Sequence, residues 1–148
     1  RSSIADSPVS FEETLAITAD WKADKATYEL TQYIDQNGMD KVEAIVANND
    51  AMALGALKAL QALGYNQEDN NKYIPIIGVD GTAEALKAIA NGQLTGTVKN
   101  DYKTQAAVAY KLAKLAAENQ KIDSKAIGYF IDDNNCVYIP YLKINQNK

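Results

Sequence analysis

The sequence lacks histidine altogether and contains a single cysteine, Cys136. Histidine is the commonest general base and the commonest metal ligand, so its absence removes the most frequent residue type for both kinds of chemistry. One cysteine cannot form an internal disulfide, and no imidazole is present to activate its thiol. We therefore interpret Cys136 as a packed side chain and not as a nucleophile. A single cysteine fits a cytosolic or an exported protein equally well.

The chain also lacks the signatures of membrane, nucleic-acid and nucleotide binding. It has no run of about 18 apolar residues that could span a bilayer. Its net charge of −4 and the lack of a basic patch argue against contact with nucleic-acid phosphates. The segment Gly78–Gly81 does not have the GxGxxG spacing of a dinucleotide-binding turn, and no P-loop is present.

Motifs of catalysis are missing as well. Nothing in the chain resembles a nucleophile elbow or a metalloprotease histidine pair. The carboxylates of Asp50, Asp80 and Asp101 could act as acid and base, but no two of them fall at a spacing that specifies this role. We therefore expect a protein that binds a ligand and does not transform it.

What is present is the composition of one globular domain. The 148 residues are 47% hydrophobic and 23% charged, which is enough to bury a sizeable core. The first residue is Arg1 and no charged-then-apolar leader follows it, so we expect a mature form or a fragment of a longer protein. The lack of a leader is then no evidence for the cytoplasm.

Apolar runs and helical patterns alternate four times along the chain. The runs predict four buried strands, at Leu15–Thr18, Val42–Ala47, Ile74–Val79 and Leu94–Val98. The amphipathic patterns that follow them predict four helices, at Lys22–Gln36, Asp50–Leu63, Ala83–Ala90 and Tyr102–Glu118. This alternation predicts the α/β class, with a parallel sheet and helices on both faces.

The two ends of the chain have different patterns. Arg1–Ser10 is rich in turn-forming residues, which predicts a frayed helix end and a loop. Tyr129–Ile131 and Val137–Ile139 are typical of two strands around a turn at Asp132–Asn135. The tail is therefore expected to leave the strand–helix alternation.

Aromatic and polar side chains follow each predicted strand at the point where it ends. Trp21 follows the first strand, Asn49 the second, Asp80 the third and Asn100 the fourth. The carboxyl ends of parallel strands lie at one edge of a sheet, where ligands bind. A pyranose offers C–H faces that stack on indole, and hydroxyls that pair with carboxylate oxygens and asparagine amides. The pattern therefore predicts a sugar-binding edge.

Each of these positions also has a purely structural interpretation. Asn48, Asn49 or Asp50 can each cap the helix that follows them, and Asp50 is interpreted first as a cap. Asn100 could cap the last helix. Asp80 could serve only to form a turn, and Trp21 could be a core residue. Four such residues at one edge favour binding over four unrelated structural roles.

Three segments resemble the carboxyl-terminal lobe of periplasmic sugar-binding proteins: Val46–Gly55, Ile74–Gly81 and Leu94–Asp101. The likeness is greatest to the galactose/glucose-binding proteins of ABC importers, and it extends from about Thr18 to Tyr141. It implies one lobe of a type I periplasmic-binding-protein fold. On this resemblance, residues 1–148 are a carboxyl-terminal lobe whose amino-terminal lobe is absent. The tail at 137–144 resembles a hinge segment, so we expect it to be exposed or paired with another element.

The resemblance implies a role for each residue of the predicted edge. Trp21 matches the tryptophan that stacks on the sugar in these proteins. Asn49 matches the second asparagine of a triplet that contacts sugar hydroxyls. Asp80 matches an aspartate that accepts hydroxyl hydrogen bonds, and Asn100 matches an asparagine that lines the site.

The resemblance also bears on metal binding. Glu43 falls where these proteins have a glutamate that completes a calcium site, and the rest of that site would lie before Arg1. The resemblance thus implies a structural calcium ion in the intact protein and no other cofactor. A solvated glutamate at the start of a strand is an equally good interpretation of Glu43.

Finally, the resemblance implies an activity and a location. It indicates the solute-binding component of an ABC transporter, in the periplasm or as a cell-surface lipoprotein, which binds a monosaccharide such as galactose or glucose. The implied partners of the intact protein are the ABC permease and a chemoreceptor, and the isolated lobe could self-associate. The alternative is the effector-binding domain of a LacI-type transcriptional repressor, which shares the fold. An enzyme on a doubly wound sheet is a third alternative.

Overall fold

A computed structural model describes residues 12–67 and 72–146 of the chain, so the predicted helix end and loop at Arg1–Ser10 lie outside the described residues. The helices in this part are α1 (Ala23–Asn37), α2 (Asp50–Ala62), α3 (Ala83–Ala90), α4 (Tyr102–Ala117) and α5 (Ser124–Ile127). The strands are β1 (Ile45–Val46), β2 (Ile76–Asp80), β3 (Gly96–Lys99) and β4 (Leu142–Asn145). Within the described ranges, no helix is both long and apolar enough to cross a membrane.

The strands form one open sheet in the order β1-β2-β3-β4. β1, β2 and β3 are parallel, and β4 runs antiparallel to β3. Parallel neighbours need a crossover connection, and α2 and α3 supply it between β1 and β2 and between β2 and β3. This alternation confirms the predicted α/β class.

The core lies where α2 packs against β2 and α1. Leu60 of α2, Ile76 of β2 and Leu94 before β3 are fully buried there. The two helices approach so closely that a methyl group at Gly55 would overlap the backbone of Ala23. Burial of these apolar side chains fixes α2 on the sheet, and with it the turn at the end of β1.

The prediction of a strand at Leu15–Thr18 is wrong. Residues 12–18 form no strand and are exposed. On one side, β1 is paired with β2, since the amides of Ile45 and Ala47 donate to Pro75 and Ile77. On the other side, a mostly apolar cavity of about 190 Å³ lies between β1 and the 14–19 segment. The segment therefore lies too far from the free edge of β1 to form a ladder.

The other predicted elements of the alternation are confirmed, but the strand predicted at Val42–Ala47 is reduced to Ile45–Val46 and the one predicted at Ile74–Val79 is observed at Ile76–Asp80. The helices α1 to α4 begin and end within one residue of the predicted positions. The fourth predicted strand, Leu94–Val98, is instead observed at Gly96–Lys99. Its start shifts because Leu94 is buried in the core below the sheet and its amide bonds to the carbonyl of Ala88 at the end of α3.

The two strands predicted in the tail reduce to a single antiparallel bridge between Ile131 and Val137. The turn between them is present, because Asp132 accepts hydrogen bonds from the amides of Asn134 and Cys136. These side chain–backbone bonds replace the ladder that two strands would need. Cys136 is exposed, so its interpretation as a packed side chain is wrong.

The tail does pair with another element, as one of the two expectations for residues 137–144 allowed. Leu142–Asn145 forms β4 alongside β3, with Gly96 opposite Asn145 and Lys99 opposite Leu142. Gly96 permits this approach, because a Cβ atom there would lie 2.6 Å from the carbonyl oxygen of Ile144. The sequence did not predict β4 or the short helix α5.

Candidate ligand-binding site

The carboxyl ends of β1, β2 and β3 bring Asn49, Asp80 and Asn100 to one edge of the sheet, and Trp21, in the turn before α1, lies beside Asn49. We call the set Trp21, Asn49, Asp80 and Asn100 the ligand edge. Asn49 Nδ2 donates to the backbone oxygen of Trp21 at 3.3 Å. The amide of Asn100 donates to the backbone oxygen of Asp80 at 3.2 Å. The carboxylate of Asp80 also lies close enough to Asp50, the residue after Asn49, for the charge of Asp50 to raise its pKa, which brings these two pairs together.

Trp21 lies on the surface, so its interpretation as a core residue is wrong. Its side chain is 66% exposed. Asp20 and Trp21 both adopt positive φ angles, of 48° and 63°, in a tight turn that the bond from the amide of Lys22 to Ala19 closes. This turn ends immediately before α1 and keeps the indole out of the core. The ring is therefore available to stack on a ligand.

Asn49 is the N-cap of α2, a role that the sequence assigned first to Asp50. Its Oδ1 accepts from the amide of Met52 at 2.9 Å, in the usual geometry of an asparagine cap. The amide nitrogen has two hydrogens, and one of them bonds to Trp21. Asn49 can therefore offer a ligand its second amide hydrogen, and its orientation is fixed by the other two bonds.

Asp80 is the last residue of β2, with a positive φ angle of 122° that is followed by 74° at Gly81. Partial burial raises the pKa of this carboxyl, and the negative charge of Asp50 raises it further, while the backbone amide of Asp50 opposes the rise. Its interpretation as a residue that only forms a turn therefore does not describe its place in the strand. Its carboxylate lies near the amino-terminal end of α2, where Asp50 is the first residue.

Asn100 does not cap the last helix, because Asp101 does. Asp101 accepts from the amide of Thr104 at 3.3 Å and from its hydroxyl at 2.8 Å, and these bonds lower the pKa of Asp101. The Oδ1 of Asn100 accepts from Gln105 Nε2 at 2.6 Å. This bond orients the side chain of Asn100, whose own amide nitrogen is then the group suited to donate to a ligand.

Asp50 is the residue whose place the sequence reasoning missed. It has no exposed surface, and its carboxylate accepts from the hydroxyl of Thr97 at 2.6 Å and from the amide of Thr82 at 2.7 Å. The only signal available was the small residue Gly78, which leaves room for this carboxylate above β2. That signal has meaning only once the register of β2 and β3 is known.

Glu43 is exposed, two residues before β1. In the described part of the chain, no group of three or more acidic, histidine or cysteine side chains is arranged to hold a metal ion. Glu43 alone would supply one carboxylate to an ion that takes six to eight oxygen ligands. Its role as a calcium ligand stays a prediction.

The arrangement suits recognition of hydroxyl groups. The ligand edge joins an exposed indole, two amide donors and a carboxylate on an open surface. The cavity beside β1 is different in kind, since it is mostly apolar and is lined by none of Trp21, Asp80 or Asn100. We therefore place the candidate site at the strand ends.

Comparison with protein families and curated proteins shows which proteins the chain is similar to. Residues 5–121 match a family described as a periplasmic binding protein domain. The chain is 32% identical over 139 residues to the D-galactose/methyl-galactoside binding periplasmic protein of Haemophilus influenzae, covering 94% of the chain and 39% of that protein. It is 38% identical over 109 residues to the D-xylose-binding periplasmic protein of the same organism, covering 72% of the chain and 30% of that protein.

Solved structures give the same fold. An ABC transporter solute binding protein from Bacillus halodurans with bound myo-inositol superposes with a TM-score of 0.73 at 30% identity, over 91% of the chain and 40% of that protein. The chain thus spans less than half the length of the relatives it matches. These relatives are solute-binding proteins and not enzymes, and they favour the importer interpretation over the repressor domain.

Proposed function

Because the chain belongs to the periplasmic binding protein family, we propose that it is a sugar-binding lobe of an ABC importer's solute-binding protein. The proposed site is the ligand edge. The observation that carries the proposal is the meeting of an exposed indole, Trp21, with Asn49, Asp80 and Asn100 at neighbouring strand ends. Relatives whose names include a galactoside, xylose and myo-inositol support a polyhydroxylated ligand.

Each group has a defined part in binding. The indole of Trp21 covers one C–H face of the ring, an apolar contact that does not require a particular hydroxyl pattern. The ionised carboxylate of Asp80 accepts from two neighbouring hydroxyls, and such charge-assisted bonds are the strong ones. The amides of Asn49 and Asn100 donate to hydroxyl oxygens from positions already fixed by their own hydrogen bonds. No covalent step is involved.

We propose a hexose such as galactose or glucose as the ligand. The galactoside-binding relative matches 94% of the chain, more than the 72% matched by the xylose-binding relative. A six-carbon pyranose also presents one more hydroxymethyl group to the edge than a pentose does. Xylose and myo-inositol are the competing ligands.

We propose that the lobe acts outside the cytoplasm, as part of a two-lobe protein. A ligand held between two lobes favours a closed state by binding it more tightly than the open one. The membrane permease would recognise that closed state. Association with a chemoreceptor, a calcium ion at Glu43 and self-association of the lobe remain predictions of the resemblance.

The test is a fluorescence titration of the chain with D-galactose, D-glucose, D-xylose and myo-inositol. Trp21 is the only tryptophan in the sequence, so its emission reports on the proposed site alone. We expect a saturable change with a hexose, because the sugar replaces water against the indole.

The matched variants are Asp80→Ala and Asp133→Ala. The first removes a proposed hydroxyl acceptor without touching the fluorophore, and we expect the change to be lost. The second removes an exposed aspartate in the tail turn and should leave the titration as in the unmodified chain. A folded protein that responds to no sugar contradicts the proposed function.

A further inference from the structure

The carboxylate of Asp50 is unusual because it is charged and fully buried. It is the one charged residue with no exposed surface in the described ranges, and the ion pairs formed by the described residues do not include it. Burying a carboxylate without a cation is unfavourable unless hydrogen bonds compensate. Asn49 already caps the start of α2, so capping does not explain the buried carboxylate of Asp50.

The bonds of Asp50 join three elements. From the first residue of α2, one oxygen accepts from Thr97 in β3 and the other accepts from the amide of Thr82, which begins α3. The side chain crosses β2 at Gly78, where a methyl group would overlap its Oδ1. One carboxylate therefore holds α2, β3 and the turn after β2 in a single arrangement.

These attachment points lie next to the ligand edge. Thr82 is two residues after Asp80, and Thr97 is three residues before Asn100. Asp50 itself directly follows Asn49, and its charge is close enough to Asp80 to raise the pKa of that carboxyl. A shift in any of these bonds would move at least two of the groups that are proposed to meet the sugar.

We propose that Asp50 is a positioning residue of the ligand edge, which fixes Asp80 and Asn100 relative to Asn49 without touching the sugar. That the ligand of this edge is a sugar rests on the proposed function. The geometric part, that Asp50 holds the backbone at Thr82 and the side chain of Thr97 beside the ligand edge, stands on its hydrogen bonds alone.

The charges around Asp80 make this geometry measurable. Asp50 faces it from α2, and Lys99 lies opposite it in the β2–β3 ladder. Asp101 follows on the same edge, but its charge is not among the causes that shift the pKa of Asp80. Removal of the Asp50 charge should therefore lower the pKa of Asp80, whereas removal of the Asp101 charge should not.

The experiment follows the side-chain carboxyl carbon of Asp80 by NMR during a pH titration of the full chain. We expect a lower pKa for Asp80 in Asp50→Asn and an unaltered pKa in Asp101→Asn, which removes the same charge from the same edge. An Asp80 pKa that is unchanged in Asp50→Asn, or that falls equally in both variants, overturns the proposal. Neither readout needs a bound sugar, so failure of the proposed function does not affect it.

A second pair of variants keeps the test informative if Asp50→Asn does not fold. Thr97→Val removes one donor to Asp50 at nearly constant shape, and Thr97→Ser retains it; Thr97 is buried and cannot touch a ligand. We expect the exchange of the Thr82 amide to accelerate, and hexose affinity to fall about fivefold, in the valine variant only. Equal Thr82 exchange in both variants overturns the positioning role, whether or not the chain binds sugar.

Discussion

At the scale of single residues, the ligand edge consists of side chains that also hold the local structure. Asn49 caps α2 and Asn100 is fixed by Gln105, so neither amide has to be ordered when a ligand binds. Such preorganisation reduces the entropy lost on binding. Asp80 is held differently, since its φ angle is positive and its charge is disfavoured by burial and by Asp50.

This difference predicts the behaviour of Asp80→Asn. The folded-state pKa of Asp80 is raised, so its stabilising contribution is present below the unfolded pKa of about 3.9 and is lost as pH rises through the folded value. At neutral pH the asparagine variant should therefore be more stable than the unmodified chain. The gain should be less than about 1 kcal/mol because the group is largely solvated. It should shrink below about pH 4.

The measurement is urea unfolding of both proteins at neutral and acidic pH. Asp101→Asn is the control of opposite sign, because the pKa of Asp101 is lowered and its charge stabilises the fold above the unfolded pKa. That variant should lose stability at neutral pH. A loss of stability in Asp80→Asn at neutral pH contradicts the interpretation of its pKa. Asp80→Asn should also bind a hexose less tightly than the unmodified chain.

At the scale of elements, the sequence predicted helices better than strands. The helical patterns run for two to four turns and have clear caps, so the local spacing of apolar residues is enough to predict these helices. A strand needs a partner, and Leu15–Thr18 lies beside a cavity where a partner would have to be. The opposite error occurred at Leu142–Asn145, which forms a strand that the sequence did not predict. Its apolar–polar pattern is short, and it forms a strand because Gly96 lets it approach β3 closely.

The contact between α1 and α2 gives a prediction at this scale. Gly55 lies against the backbone of Ala23, and its carbonyl accepts from the hydroxyl of Thr27 at 2.8 Å. Gly55→Ala should destabilise the fold by about 2 kcal/mol, because the methyl group forces the helices apart. This loss should appear even though alanine favours an isolated helix by up to about 1 kcal/mol.

Thermal or chemical unfolding checks this prediction, with Lys58→Ala as the control on an exposed face of α2. The control should change the free energy of unfolding by less than about 0.5 kcal/mol. If Gly55→Ala is as stable as the unmodified chain, α1 does not approach α2 as closely as described.

At the scale of the whole molecule, the site was predictable because it depends on topology more than on detail. Parallel strands place their carboxyl ends together, so Asn49, Asp80 and Asn100 could be grouped before any contact was known. Trp21 was grouped with them on a strand that is not formed, and it reaches the edge through the turn before α1. The deeper bonds could not be predicted this way. The buried links from Asp50 to Thr82 and Thr97 depend on which strand neighbours which and in what register.

The open form of the edge also sets the expected affinity. Trp21 is 66% exposed, so a sugar stacked on it would keep much of its other face in water. Hydroxyls that remain solvated contribute little, and the entropy of association opposes binding. We therefore expect millimolar binding by this chain, with free and bound forms in fast exchange.

The most direct test of the central claim is a proton–nitrogen NMR titration with D-galactose, with L-galactose as the stereochemical control. We expect saturable shifts at the indole N–H of Trp21 and at the side-chain amides of Asn49 and Asn100, larger for the D sugar. Saturable shifts that cluster elsewhere, for example at the groove formed by Leu86 and Gln146, would contradict it. So would identical behaviour with both enantiomers.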